Sequence, residues 1–403
     1  MNFDALYIGI DVSKFKHDLA VMNEHKKLLG KTFVIRENPT GYSYLTERLE
    51  QLRAKYQTQT FYVGMEATAD YWKNLFHFFQ NQTGCQVVVI NPVKINAFAK
   101  TMLRRAKTDA VDAQIIAQYL VEKKPQASYF RPPILENLKD LNTQIRALKK
   151  KQTMAVNRLR GELGKVAPEI EQQFRYIQGK QILTILNHFP TAKMIEQASI
   201  EQMRQIRYGE KQWRIPEASL LKVTQLAQNS IGYKSGLGAG WVVQSLVRTI
   251  HHYQTEIEFL KEQIVQLYET VQSNNADILT TISGVTKESA IIMDAYFGDV
   301  NRFRTKKEFV AFFGMNPVVN QSGKRTNRKS YLQKKGSGFV RQKLFLISLN
   351  LIKAQQEPFY SYYQRLISAG KPKLVAICAT MRKLLVIMFR MLKTQQNFDP
   401  NKK

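Results

Sequence analysis

The sequence predicts an N-terminal α/β domain built on a mixed sheet, followed by a coiled coil and a mainly α-helical C-terminal domain. Three observations carry this. Three strand-like apolar runs open the chain and give way to alternating helix and strand patterns, the signature of a mixed α/β sheet. Two heptad seams occupy the middle of the chain. Beyond them the pattern is helical, broken by one glycine- and lysine-rich stretch. The expected divisions are 1–130 for the α/β domain, 131–166 for a first coiled-coil helix and 167–240 for a helical insertion. A second coiled-coil helix follows at 241–275, then the C-terminal domain at 276–395 and a tail at 396–403.

Leu6-Tyr-Ile-Gly-Ile-Asp-Val12 is an apolar run ending near an acid, and Asp18-Leu-Ala-Val-Met22 follows after one turn. Together they read as a hairpin, with Lys31-Thr-Phe-Val-Ile35 as a third strand. A helix is expected from about 40 to 56, a fourth strand at Thr60–Glu66, a helix at Tyr71–Gln80 and a fifth strand at Gln86–Asn91. Asp11 then lies within the first strand and Glu66 at the end of the fourth, where open α/β sheets place their sites. A carboxylate in a central strand is costly to bury unpaired. Asp11 therefore needs a partner, either a basic side chain or a bound cation.

The stretch Arg104-Arg-Ala-Lys-Thr-Asp-Ala-Val-Asp-Ala113 places a basic lead-in before two acids. Thr108 suits a helix N-cap, and the i, i+3 spacing puts Asp109 and Asp112 on one helix face. Acids also favour the positive end of any helix dipole, so the pair alone reads as an ordinary solvated helix start. Its company with Asp11 and Glu66 makes it a candidate metal-binding set.

Leu138, Leu141, Ile145, Leu148, Ala155 and Leu159 follow heptad spacing, with Gln152 in the remaining seam slot. A cleaner seam runs Leu246, Ile250, Tyr253, Ile257, Leu260, Ile264, Leu267 and Val271. Periodicity does not say whether these helices pair with each other or with another subunit. Residues 167–240 interleave aromatic and basic side chains, among them Phe174, Arg175, Tyr176, Tyr208, Trp213 and Arg214, before a glycine-rich close at Gly232–Gly240. That pattern suits nucleic-acid stacking and backbone contacts. A small helical subdomain with a solvated basic face fits it equally.

Leu279–Met293 has the pattern of two helices around a Gly284-containing turn, a helix-hairpin-helix arrangement that would present N–H groups to phosphates. Between Lys324 and Lys343 eight of twenty residues are Lys or Arg and none is acidic. The basic residues singled out as nucleic-acid contacts are Arg104, Arg105, Lys107, Lys324, Arg325, Arg328, Lys329, Lys334, Lys335 and Arg341. Ser322 sits among them. A serine hydroxyl needs a base, a metal or cationic stabilisation to act as a nucleophile. By chemistry alone Ser322 reads as a turn residue, with Ser330 and Ser337 as equal rivals for the nucleophile.

The totals agree with a polyanion-binding protein. Of 403 residues, 60 are Lys or Arg and 32 are Asp or Glu, a formal net charge of +28 that points to nucleic acid. Two cysteines, Cys85 and Cys378, are too few for a disulfide framework, which suggests a reducing, cytoplasmic setting. The N-terminus has no basic stretch followed by an apolar core, so no signal peptide is expected. The most apolar stretch, Leu374–Leu392, carries Arg382, Lys383 and Arg390 and reads as a packed helix, so no membrane partner is expected.

Two strand acids and two from a later helix resemble a ribonuclease-H/RuvC-like nuclease core, whose hard oxygen ligands hold Mg²⁺ for phosphoryl transfer. The assembled motifs narrow this further. They are Tyr7-Ile-Gly-Ile-Asp-Val-Ser-Lys14, Gly64-Met-Glu-Ala-Thr-Ala69, Lys107-Thr-Asp-Ala-Val-Asp-Ala113, Phe313-Gly-Met-Asn-Pro317, Gln321-Ser-Gly-Lys324 and Lys335-Gly-Ser-Gly-Phe-Val-Arg341. In that order they resemble the transposase family of insertion-sequence-110 elements and the related Piv-type DNA invertases, across roughly 5–165 and 245–395.

The resemblance implies a RuvC-like domain with a DEDD set at Asp11, Glu66, Asp109 and Asp112, holding Mg²⁺. It implies a coiled coil and a C-terminal domain with Ser322 as nucleophile. It further implies donor and target DNA joined through a phosphoserine intermediate, with a structured noncoding RNA from the element as guide. Sequence choice delegated to base pairing would explain a very basic chain with no evident base-reading helix. A dimer assembling to a tetramer is implied as well, with the acids of one subunit serving Ser322 of another, in a nucleoid-associated setting in bacteria or archaea. The competing function is a junction-resolvase-type endonuclease that uses the four acids without a covalent intermediate.

Overall fold

In the first strand, β1 (Ala5–Val12), every residue but Asp11 is buried, the burial expected of a strand covered on both faces. The structure is a computed structural model that describes residues 3–401 other than 103–107, 130, 319–320, 323–324, 327–330 and 333–335; at 318, 321–322, 325–326 and 331 it describes the backbone. The chain divides into two compact units, Met1–Phe130 and Arg131–Lys403.

In the first unit β1 pairs antiparallel with β2 (Lys16–Met22), which pairs antiparallel with β3 (Phe33–Arg36). Helix α1 (Pro39–Tyr56) follows, started by the Asn38 side chain, which accepts from the Gly41 N–H, and by Pro39. Next come β4 (Thr60–Glu66), α2 (Trp72–Gln80), β5 (Cys85–Ile90), α3 (Pro92–Thr101) and α4 (Asp109–Lys123). The strand order is β3-β2-β1-β4-β5, with β4 parallel to both β1 and β5. The mixed sheet expected from the sequence is therefore present. Helix α3 was not anticipated: its run Pro92–Thr101 has too few apolar positions to declare a helical face.

Alternation along the strands gives the sheet two faces. Leu6, Ile8, Ile10, Phe61, Val63 and Met65 pack with α1 and α2 through Leu45, Leu49, Leu75 and Phe79. Tyr7, Val88 and Ile90 point the other way and pack with α3 and α4 through Ile95, Phe98, Ile116 and Leu120. This second face carries the candidate acids.

The second unit is built on α5 (Pro133–Val166). Short helices α6 (Pro168–Gln173), α7 (Lys180–His188), α8 (Ala192–Gln197) and α9 (Ile200–Arg204) follow it. A two-rung hairpin of β6 (Arg207–Tyr208) and β7 (Trp213–Arg214), then α10 (Glu217–Gln228), lead to α11 (Leu237–Glu269). The two long helices pair with each other, antiparallel. Leu138, Ile145 and Leu148 share a core with Ile257 and Ile264, while Leu159 and Leu163 share another with Val243, Leu246 and Ile250. The expected seams hold with two corrections. Val156 is buried where Ala155 was expected, because the larger side chain fills the interface and the alanine only borders it. Val271 lies past the end of α11, where Tyr268 supplies the last buried ring. The helix also starts inside the glycine-rich stretch, where Gly240 packs against Pro190 too closely to admit a larger side chain without adjustment.

The remaining chain forms α12 (Asn275–Thr280), α13 (Lys287–Phe297) and α14 (Lys306–Phe312). Four two-residue strands follow: β8 (Pro317–Val318), β9 (Gln321–Ser322), β10 (Arg325–Thr326) and β11 (Tyr331–Leu332). The chain ends with α15 (Gly338–Lys353), α16 (Phe359–Ser368) and α17 (Lys373–Thr394). Asp294, almost wholly buried in α13, accepts from Tyr268 Oη at 2.8 Å and Asn275 Nδ2 at 2.8 Å, tying three helices together. Burial raises its pKa, and these two donors offset part of the rise. Among the described residues no helix is long and apolar enough to cross a membrane.

Candidate active site

Two glycines fix how α4 meets the sheet. Gly9 and Gly64 are paired neighbours on β1 and β4. A Cβ on Gly9 would stand 2.2 Å from Ala113 O and from Ala117 N, inside the backbone of α4. A Cβ on Gly64 would stand 2.9 Å from the Leu120 methyl carbons. The absence of side chains at these positions lets the helix lie against the strands. Asp11 and Glu66 are each two residues beyond a glycine, so both emerge on the face that α4 covers.

The first turn of α4 completes the group. Thr108 is its N-cap, with the hydroxyl accepting from the Val111 N–H at 3.3 Å, as the sequence led us to expect. Asp109 and Asp112 follow in that turn. The Asp11 carboxyl is pushed up to about 6 by burial first, then by the charges of Asp112, Asp109, Glu66 and Asp18. The charges of the other three predicted acids thus all bear on Asp11, and the four come from three separate parts of the sequence.

Sequence reasoning missed two members of this neighbourhood. Asp18 sits directly across the β1–β2 pair from Asp11 and is largely buried. Lys16 Nζ donates to Asp109 Oδ2 at 3.0 Å and lies 3.8 Å from Asp18 Oδ2. The hairpin register places both, and the run Asp11–Asp18 held that signal had the loop been counted. Burial raises the Asp18 pKa against the lowering influence of Lys16.

The donor set is all carboxylate oxygen, the chemistry that suits Mg²⁺. Among the described residues, however, no group of three or more His, Cys, Asp or Glu side chains stands close enough together to hold an ion. Like charges hold one another off, and Lys16 neutralises Asp109 in this arrangement.

In the second unit Ser322 lies on β9, paired with Arg325 of β10. The β8–β11 pair, Val318 with Tyr331, forms a separate two-stranded rung. The end of the segment is fastened at Gly336. Its φ is +84°, and a Cβ there would stand 2.1 Å from Phe312 O. Arg341 Nη1 donates to the carbonyls of Phe313 and Gly336, both at 3.2 Å, so this cation works at least partly inside the protein. Ser337 caps α15, its hydroxyl accepting from the Val340 N–H, which gives it a structural role. Arg104, Arg105, Lys107, Lys324, Arg328, Lys329, Ser330, Lys334 and Lys335 lie outside the described residues, and Arg325 is placed by its backbone. The stretch 279–293, where a helix-hairpin-helix element was expected, holds the end of α12, a turn at Gly284 with φ +80°, and the first part of α13.

Acids whose charges meet at Asp11 thus lie on one face of a mixed sheet, and Ser322 lies in a short strand pair of the second unit. A transposase family model matches residues 8–168, and the model of the "Transposase IS116/IS110/IS902 family" matches 276–364. The chain belongs to the IS110 family of transposases and is a DNA transposase/recombinase. It is 25% identical over 395 residues to the pilin gene-inverting protein of Moraxella bovis, covering 98% of this chain and 97% of that protein. It is 22% identical over 400 residues to the 44.8 kDa protein of insertion element IS116 from Streptomyces clavuligerus, again covering 98% and 97%. Among solved structures it is similar to T. thermophilus RuvC in complex with a Holliday junction substrate. That match has 15% identity and a TM-score of 0.22, and covers 30% of this chain and 95% of that one.

Proposed function

We propose that the protein cleaves and rejoins donor and target DNA through a covalent bond to Ser322, with Mg²⁺ held by Asp11, Glu66, Asp109 and Asp112. The observation that carries this is that the charges of Glu66, Asp109 and Asp112 all bear on Asp11, with helix α4 docked on Gly9 and Gly64. A bound divalent cation supplies charge neutralisation at the scissile phosphate. The protein's own residues do the rest. Asp11 and Glu66 are fixed by the sheet, and Asp109 and Asp112 by the helix that rests on it. Lys16, which donates to Asp109 in this structure, would be released to face a phosphate oxygen if Asp109 took up a cation. Ser322 Oγ loses its proton and forms the bond to phosphorus, while the bond to the departing strand's oxygen breaks and that oxygen takes a proton. The lysines and arginines of 324–343 offset the charge that builds at phosphorus.

The C-terminal helix-hairpin-helix element and the coiled-coil arrangement of α5 and α11 belong to the same reading, as does a ribonuclease-H/RuvC-like identity for the first unit. A structured RNA encoded by the element serves as guide, and the working form is a homo-oligomer acting on DNA at the nucleoid. The support is the family, together with a net charge of +28 that suits a polyanion. Sequencing the RNA that copurifies with the protein tests the guide: one enriched structured species is expected, and a bulk cellular mixture would contradict it. For the acids, the test is strand cleavage in Mg²⁺ by Asp11→Asn, Glu66→Gln, Asp109→Asn and Asp112→Asn. Each should abolish cleavage without lowering the melting midpoint. A variant with near-wild-type cleavage removes that residue from the metal set.

A further inference from the structure

Residues 169–275 lie between the stretches that the family models match, and they hold a surface of unusual composition. Tyr176 is 70% exposed and Trp213 is 52% exposed. Trp213 packs on Tyr208 with ring centroids 5.8 Å apart, across the β6–β7 hairpin. Tyr208 is held by Gln181 Nε2 at 2.8 Å and, with Phe174, Tyr176 and Lys180, lines an open cleft of about 340 Å³. Large rings left this open forgo burial that a globular domain would normally use.

The cations around the rings tell the same story. Arg175 lies over the Tyr176 ring at 5.9 Å and Lys222 over Phe174 at 6.0 Å. Arg207 and Arg214 face each other as a cross-strand pair, an arrangement that like charge makes unfavourable. Neither they nor Arg175, Lys180 and Lys222 form an ion pair among the described residues. Of the segment's acids, Glu171 pairs with Arg160, Glu201 and Glu217 with Arg204, and Glu169 with Ser230, while Glu210 lies in the exposed hairpin turn. Arg207 Nη1 donates to the Arg204 and Ile206 carbonyls at 2.6 and 3.1 Å, and an anion beside Arg214 would offset the like charge across the pair.

We infer that this cleft and hairpin form a binding surface for unpaired nucleotides, with bases stacked on Tyr176 and the Tyr208–Trp213 pair and phosphates beside Arg207 and Arg214. A duplex hides its base faces and cannot use exposed rings, whereas a single strand offers a ring face at every residue. The chemistry is common to an unpaired RNA segment and a displaced DNA strand, and none of these residues belongs to the proposed acid set or to the Ser322 segment. The inference deepens the proposal that the protein handles nucleic acid and rests on it.

The test uses full-length protein freed of bound RNA, with fluorescently labelled oligo-U, oligo-dT and a blunt duplex of equal length. Tyr176→Ala/Trp213→Ala should weaken single-strand binding roughly 10-fold or more per ring lost, with little change for the duplex. Tyr176→Phe/Trp213→Phe should retain single-strand affinity, which separates stacking from a folding defect. Arg214→Gln should lower the slope of log K against log salt by about one. Loss confined to oligo-U assigns the surface to RNA, loss confined to oligo-dT assigns it to DNA, and equal loss shows that it takes either. Wild-type protein that binds none of the three would undo the proposed function itself. Wild-type binding that is unchanged in the alanine double variant, or reduced equally for single strand and duplex, overturns this inference alone.

Discussion

Gly9→Ala should be among the most damaging single-methyl changes in the protein. The added Cβ would stand 2.2 Å from Ala113 O and Ala117 N, both backbone atoms of α4. Restoring an ordinary separation of ~3.5 Å requires helix and sheet to part by about 1 Å. No side chain can rotate away to absorb this, so the cost belongs at the upper end of the range for overpacking, about 3 kcal/mol. For a unit of this size that lowers the melting midpoint by roughly 10 °C. The functional loss should exceed the stability loss. Asp109 and Asp112 ride on α4 while Asp11 and Glu66 stay on the strands, and a displacement of ~1 Å at a catalytic site costs on the order of 100-fold in rate. Gly64→Ala is the graded comparison, because its Cβ meets only the movable Leu120 methyls at 2.9 Å. Calorimetry and Mg²⁺-dependent strand cleavage, run on both variants below their melting points, provide the readout. A Gly9→Ala protein with wild-type melting and cleavage would refute the claim that close helix–sheet contact assembles the site.

Asp11→Asn should raise the thermal midpoint in EDTA at neutral pH while abolishing cleavage. The folded pKa of Asp11, about 6, lies above its ordinary value of 3.8, so its favourable contribution is complete below 3.8 and is lost as pH rises through about 6. Melting curves from pH 4 to 8 should therefore show a decline in wild-type protein that the variant lacks and that Mg²⁺ reverses; parallel curves would contradict this. Tyr268→Phe leaves buried Asp294 short of one donor and should destabilise the second unit by about 1–3 kcal/mol. Because the Asp294 pKa is already raised, that loss should grow as pH rises and Asp294 ionises, and equal losses in acid and at neutral pH would argue against it. Gly164→Ala, in α5 with nothing within 4 Å of its Cβ, should be neutral or stabilise by up to about 1 kcal/mol in urea melts; clear destabilisation would reveal a contact the structure does not contain.

The legible parts of the sequence were those where one residue type serves one physical demand. Apolar runs with short connections gave the strands, and Thr108 before two acids gave the start of α4. An acid at the end of an otherwise buried strand marked Asp11. The heptad seams gave α5 and α11, although not their partner, because a seam looks the same whether its complement lies in the same chain or another. Asp18 and Lys16 escaped because their importance depends on hairpin register. Gly9 and Gly64 escaped for a related reason: a strand glycine announces close approach without saying of what, and here it is α4, more than one hundred residues after Gly9. Ser322 is distinguished from Ser337 by the structure, since the latter caps a helix, while its nucleophilic role rests on the motif around it.

The account's central claim is that strand exchange passes through Ser322. The direct measurement is a denaturing gel of end-labelled substrate DNA incubated with the RNA-bound protein and Mg²⁺, followed by protease digestion and peptide mapping. Label should migrate with the protein, resist boiling in detergent, map to the peptide containing Ser322, and disappear in Ser322→Ala and in Asp11→Asn. Cleaved DNA with free ends and no attached protein, or an adduct that persists in Ser322→Ala, would contradict it.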